Sequence, residues 1–138
     1  KMQKAINRAN SHGKRVFYHG NVDRCDLHEF YKDSDIFAYA SSCENFPSII
    51  LEAMSFGLPI ISSKLRPMTD IMDKSALYFD HEDINSIALA MEEIIINLKL
   101  RKKISRELYE KSIKYTWRKS AEQTFGFIRD IANNYYQS

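Results

Sequence analysis

Glu44 and Glu52 stand with seven residues between them in the segment Ser41 to Pro59, SSCENFPSIILEAMSFGLP. Two nearby carboxylates can divide acid and base work, or can accept hydrogen bonds from hydroxyl groups. The spacing favours the second. Pro47 suits the first position of a helix, where no amide hydrogen is needed. Gly57 suits the left-handed position just past a helix end. The segment therefore predicts a helix over Pro47 to Phe56, with Glu44 in the loop before it and Glu52 inside it. At about 1.5 Å of rise per residue, Glu52 is displaced along that helix from Glu44. The pair reads as two contacts on one elongated polar ligand, and sugar hydroxyls are fitting donors to carboxylates. Free amide hydrogens at the helix start, with the helix dipole, favour phosphate or another anion beside them. A plainer reading stands alongside: a glutamate near a helix start answers the dipole, and EAMSFGLP is a helix that packs and stops.

The elements around this segment alternate. Met2 to Asn10 reads as a helix, Arg15 to Tyr18 as a strand ending at Gly20, and Asp23 to Asp33 as a helix. Asp35 to Ala40 is a second strand, whose apolar continuity suggests burial on both faces. Pro59 to Ser62 is a third and Ala76 to Phe79 a fourth, with a short turn of helix over Pro67 to Met72. Only helices follow: Ile84 to Asn97, Leu100 to Lys114, and Trp117, capped by Thr116, to about Asn133. The expected class is α/β, a Rossmann-like parallel sheet flanked by helices, with a helical tail. In such sheets ligands bind outside the carboxyl ends of strands, where the loop Ser41 to Phe46 falls.

The chain of 138 residues is long enough for one core without disulfides, and Cys25 and Cys43 carry no CxxC spacing. They read as two reduced thiols of a cytoplasmic protein. No apolar run approaches the roughly 20 residues of a spanning helix, and no secretory leader is visible. Four glycines, Gly13, Gly20, Gly57 and Gly126, cannot form GxGxxG or a Walker loop. Residues Lys99 to Lys119 hold nine basic and two acidic side chains. That run reads as the solvated face of two helices, with contact to an anionic membrane surface as the sharper alternative. Histidines 12, 19, 28 and 81 share no metal-ligand spacing. His19, beside Gly20 at a strand end, is within reach of a bound nucleotide, and Lys64 and Arg66 follow a strand at the same edge. Trp117 reads as a packing anchor rather than a sugar platform.

The segment resembles the E-x7-E signature of the retaining, nucleotide-sugar-dependent glycosyltransferases of the GT-B fold, family four. Glu44 and Glu52 match the two glutamates, Ser41 the serine three positions before the first, and Glu52-Ala53-Met54, Gly57 and Pro59 the EAM-x-x-G-x-P continuation. Val16, Tyr18, Gly20 and Val22 match a V-x-F-x-G-x-V strand. Phe30-Tyr31 and Ser34-Asp35 match a helix end, and Ala76 to Asp80 with Asp83 resembles a later strand and turn. Trp117 matches the tryptophan opening the last helices.

The resemblance implies the carboxy-terminal, donor-binding domain of such an enzyme. Glu44 would contact the donor sugar's hydroxyls and act as the catalytic residue; Glu52 would contact the ribose. Amides around Asn45, Phe46, Pro47, Ser48 and Ile49 would meet sugar and diphosphate, and the loop after Gly20 would lie near the base. Transfer would proceed with retention and without a metal or other cofactor, the leaving diphosphate being held by amides and basic side chains. Residues 1–115 would form the nucleotide-sugar-binding domain, incomplete on its amino-terminal side, and 116–138 the carboxy-terminal helix. The expected partners are the nucleotide-sugar and a missing amino-terminal acceptor-binding domain, not nucleic acid. The location would be cytoplasmic, with peripheral contact at the inner membrane face as the alternative. Pro47 stands where many members have glycine, and Asp70 where they have glutamate. A Phe-Pro version resembles members acting in surface-polysaccharide assembly. The family's Arg and Lys pair, which meets the diphosphate, lies on an earlier segment absent here. The four strands would be family strands three to six, with two missing between Arg15–Tyr18 and Asp35–Ala40. The gap would be closed by another chain, by direct pairing, or by residues outside the 138. A non-catalytic nucleotide- or partner-binding module, and another GT-B chemistry such as a phosphorylase or epimerase, remain open.

Overall fold

The computed structural model describes residues 2–11, 13 and 15–135. His12, read above for metal-ligand spacing, lies outside them. Two compact units make up the chain, residues 1–32 and 33–138.

The first unit holds α1 (Met2–Ala9) and most of α2 (Arg24–Asp33). The strand expected over Arg15 to Tyr18 does not form: residues 15–20 carry no ladder. The reason is local. A strand exists only where a neighbour takes its amide and carbonyl groups. Here the Asn10 side chain takes them. Its Oδ1 accepts from the Arg15 and Val16 amides, both at 2.8 Å, and its Nδ2 donates to the Val16 carbonyl at 2.8 Å.

The second unit is built on three parallel strands, β1 (Phe37–Tyr39), β2 (Ile60–Ser63) and β3 (Leu77–Phe79), in spatial order β1-β2-β3. Phe37 lies opposite Ile60 and Tyr39 opposite Ser62, which in turn faces Tyr78. Parallel strands need crossover connections, and helices supply them. α3 (Ser48–Ser55) links β1 to β2; α4 (Met68–Met72) and a 3-10 turn (Asp73–Ser75) link β2 to β3. Burial on both faces belongs to β2, all of whose residues are buried, and not to β1. Ala38 is exposed and Phe37 and Tyr39 half-buried, because β1 is an edge of the sheet with β2 as its one partner among the described residues. Among the described residues the sheet has three strands, not six.

Helices complete the core by their spacing. α3 buries Ile50, Ala53 and Met54, three positions on one face. It packs on α6 (Leu98–Ser112), which buries Ile104 and Leu108. α5 (Ile84–Ile96) buries Ala90 and Ile94 and packs against β2, β3 and α6. α3 ends as expected at Gly57, whose φ is +72°. The Gly57 amide donates to the Met54 carbonyl and the Leu58 amide to the Ala53 carbonyl, the paired bonds of a Schellman stop. Ser105 on α6 donates to the Gly57 carbonyl at 2.5 Å, fastening one helix to the end of the other. α6 starts two residues earlier than expected because Asn97 caps it, accepting from the Leu100 amide.

Thr116 caps α7 (Trp117–Tyr135) as expected, accepting from the Lys119 amide at 3.2 Å. No residue of α7 is buried. Trp117 is 92% exposed, so it does not anchor packing within this chain. The basic run is a solvated surface laced by pairs one turn apart, Lys103 with Glu107 and Arg106 with Glu110. No described helix is long and apolar enough to cross a membrane.

Candidate functional site

The loop after β1 is held from three directions. Ser63, the last residue of β2, is fully buried, and its hydroxyl donates to the Ser41 carbonyl at 2.6 Å and, more weakly, to the Tyr39 carbonyl at 3.3 Å. A buried hydroxyl needs such partners, and these two tie the end of β1 to the end of β2. Within the loop, Ser41 donates its hydroxyl to Oε1 of Glu44 at 2.7 Å. The Tyr39 hydroxyl donates to the same oxygen.

Charge follows from this geometry. The Tyr39 bond, then the Ser41 bond, holds the Glu44 carboxyl below its ordinary range, against a smaller opposing effect of burial. The Tyr39 phenol is pushed up to about 12, by burial first and then by the Glu44 carboxylate it serves. At neutral pH the arrangement is one ionised carboxylate and two neutral donors. Such a carboxylate accepts hydrogen bonds and donates none.

Pro47 sits at the position before α3 instead of in its first turn, with φ −79° and ψ 83°. Those angles make an inverse γ-turn, closed by the Ser48 amide on the Phe46 carbonyl at 3.0 Å. The Ile50 amide turns back on Pro47. Of the amide groups expected around an anion, Pro47 therefore has none and Ser48 has spent its own within the turn. Pro47 is buried, Ile49 half-buried, and Asn45, Phe46 and Ser48 are exposed. Glu52, half-buried, is the fifth residue of α3, about 6 Å along the axis from Ser48. Arg66 pairs with Asp70 at 3.4 Å on the surface.

His19 and Gly20 belong to the first unit. The His19 ring meets Phe30 edge-on at 4.6 Å and stacks near Phe17 at 6.4 Å. Gly20 has φ +68°, a conformation suited to glycine. Cys25 and Cys43 are free and exposed. Among the described residues no group of three His, Cys, Asp or Glu could hold a metal ion.

Sequence reasoning missed two residues. Tyr39 was read only as a strand residue, although a tyrosine ending a half-buried strand needs a partner for its hydroxyl. The other is Ser63: a serine closing an apolar strand carries the same demand.

A family model described as "Glycosyl transferases group 1" matches residues 2–111. The chain belongs to this family. The group 1 chain is 25% identical over 111 residues to the sulfoquinovosyl transferase SQD2 of Arabidopsis thaliana, covering 77% of this chain and 22% of that protein. It is 26% identical to the O-antigen chain mannosyltransferase B of Escherichia coli, over 79% of this chain and 29% of that one. It is 32% identical to a probable sucrose-phosphate synthase of Thermosipho melanesiensis, over 70% and 22%. The solved sucrose-phosphate synthase of Thermosynechococcus elongatus superposes with a TM-score of 0.79 at 22% identity, over 96% of this chain and 34% of that one. That likeness places the second unit's sheet and helices in the Rossmann-like part of the GT-B fold. The group 1 chain spans less than a third of the length of the three curated relatives named.

Proposed function

We propose that the chain is the donor-binding part of an enzyme that moves a sugar from a nucleotide-diphosphate sugar to an acceptor, with retention at the anomeric carbon. One observation carries this reading most: Glu44, ionised and held at the carboxyl end of β1, stands beside the start of the helix that bears Glu52. Ligands of open α/β sheets bind at that edge. In this reading Glu44 accepts from the donor sugar's hydroxyls and Glu52 from the ribose. The dipole at the start of α3 favours the diphosphate as it leaves. Residues 45–49 line the diphosphate, and no metal or other cofactor is required. Residues 1–115 then act as the nucleotide-sugar module and 116–138 as its carboxy-terminal helix. An acceptor-binding domain completes the enzyme, which works at the cytoplasmic side.

Two relatives' names print a transferred sugar, sulfoquinovosyl in one and mannosyl in the other, and a third prints sucrose-phosphate as what it makes. A place in polysaccharide or glycoconjugate assembly draws support from the O-antigen chain relative. The test is transfer from a panel of nucleotide-sugars by the full-length protein. The expected result is consumption of one donor and a product of unchanged anomeric configuration. Failure with every donor, or consumption of a sugar phosphate instead, overturns the reading. The 138-residue chain by itself is expected to bind nucleoside diphosphates weakly, without turnover.

A further inference from the structure

We infer that Tyr39 is a positioning residue for Glu44: its phenol, with the Ser41 hydroxyl, holds one carboxylate oxygen so that the other is presented to the ligand. Both hydroxyls use Oε1, and neither uses Oε2. A surface glutamate ordinarily samples several rotamers and offers any of its lone-pair directions. Two donors on one oxygen remove that freedom. They fix the plane of the carboxylate and leave Oε2 as the acceptor for the ligand.

Tyr39 is itself held. Its ring stacks on Phe37, two residues earlier on the same side of β1, with centroids 6.1 Å apart and planes 14° apart. Its backbone is in register with Ser62 on β2, and Ser63 bonds the carbonyls of Tyr39 and Ser41. The tripeptide that carries both donors is thus pinned at both ends to the centre of the sheet. A group held by packing and by a second layer of hydrogen bonds keeps its geometry when ligand arrives, and that is worth affinity. The phenol can do this only as a donor, and burial together with the carboxylate keeps its proton on it.

The inference rests on the reading of Glu44 as a donor-sugar contact, and two measurements separate them. The first needs no activity. The Glu44 side-chain carboxyl is titrated by carbon-detected NMR in the 138-residue chain, as wild type, Tyr39→Phe and Ser41→Ala. Removing either hydroxyl is expected to raise the midpoint, Tyr39→Phe more. An unchanged midpoint in both variants overturns the proposal. The second uses the full-length protein. Tyr39→Phe is expected to lower kcat/KM for the nucleotide-sugar about tenfold, the typical loss for one hydrogen bond to a charged group. In a Glu44→Gln background the same change is expected to have no further effect. A loss that persists undiminished there overturns the proposal. A wild-type protein that transfers nothing defeats the functional reading alone, since the titration still decides the role of Tyr39.

Discussion

Ser63 and Ser41, 22 residues apart in sequence, meet through a 2.6 Å bond from a buried hydroxyl to a loop carbonyl. The bond joins the carboxyl ends of two neighbouring strands at the edge where Glu44 stands. Ser63→Ala leaves the Ser41 carbonyl without this donor. The expected cost is about 1–2 kcal/mol of stability, read as a lower denaturant midpoint at unchanged m-value.

The two carboxylates are expected to separate in kinetics. Glu44→Gln in the full-length enzyme should lower kcat/KM for the donor by roughly ten- to a hundredfold, since an amide cannot replace an ionised acceptor. Glu52→Gln should weaken nucleoside diphosphate binding by roughly tenfold, measured by calorimetry, with a smaller effect on any sugar-specific step.

Two phenols should titrate late. Tyr39 and Tyr78 are both pushed up to about 12. For Tyr78 burial is the main cause, followed by the Asp73 charge. A phenol whose folded value exceeds its unfolded value of about 10 contributes its stability in full below pH 10. That contribution is lost as pH rises through 12. Absorbance near 295 nm should show Tyr39 and Tyr78 ionising in that window, with melting temperature falling alongside. Glu44 has the opposite sign: its contribution is full above the ordinary carboxylate range and lost as pH falls through its depressed value.

Gly57→Ala should cost about 1 kcal/mol and no more. A Cβ there would lie 3.9 Å from the Ser105 hydroxyl, an ordinary contact. The cost is therefore the left-handed backbone alone, at φ +72°. A loss of several kcal/mol in thermal or urea unfolding would mean a steric clash instead.

Asp73→Gly should raise stability. Asp73 holds φ 51° and ψ −128°, a region that side chains rarely enter. Its charge pairs with Lys111 at 3.7 Å, but Asp73 is largely exposed, so little is lost with it. The expected gain is about 0.5–1 kcal/mol, seen as a higher melting temperature.

Much of the architecture was legible because it rests on local rules. The Gly57 stop, the Thr116 cap and the helical spacing of Ile50, Ala53 and Met54 each follow from residues within one or two turns. The strand over Arg15 to Tyr18 was misread because a ladder depends on a distant neighbour, and Asn10 supplied a substitute six residues away. The early start of α6 was missed because Asn97 ends one helix and caps the next at once. Glu44 and Glu52 were visible by type and spacing. What orients Glu44 was not: Tyr39 shows its use only once the loop after β1 folds back on the strand, and Ser63 only once two strands lie in register.

α7 runs for 19 residues without burying one. Isolated helices draw little stability from their own hydrogen bonds, and Gly126 near its middle weakens this one further. The chain is therefore expected to open more readily in α7 than in β2. Amide protons of β2 should exchange with solvent only on global unfolding, while those of α7 should exchange by fraying within the native state. Limited proteolysis is expected to strip α7 and leave the sheet whole, so α7 can melt and reform while the Glu44 loop keeps its shape.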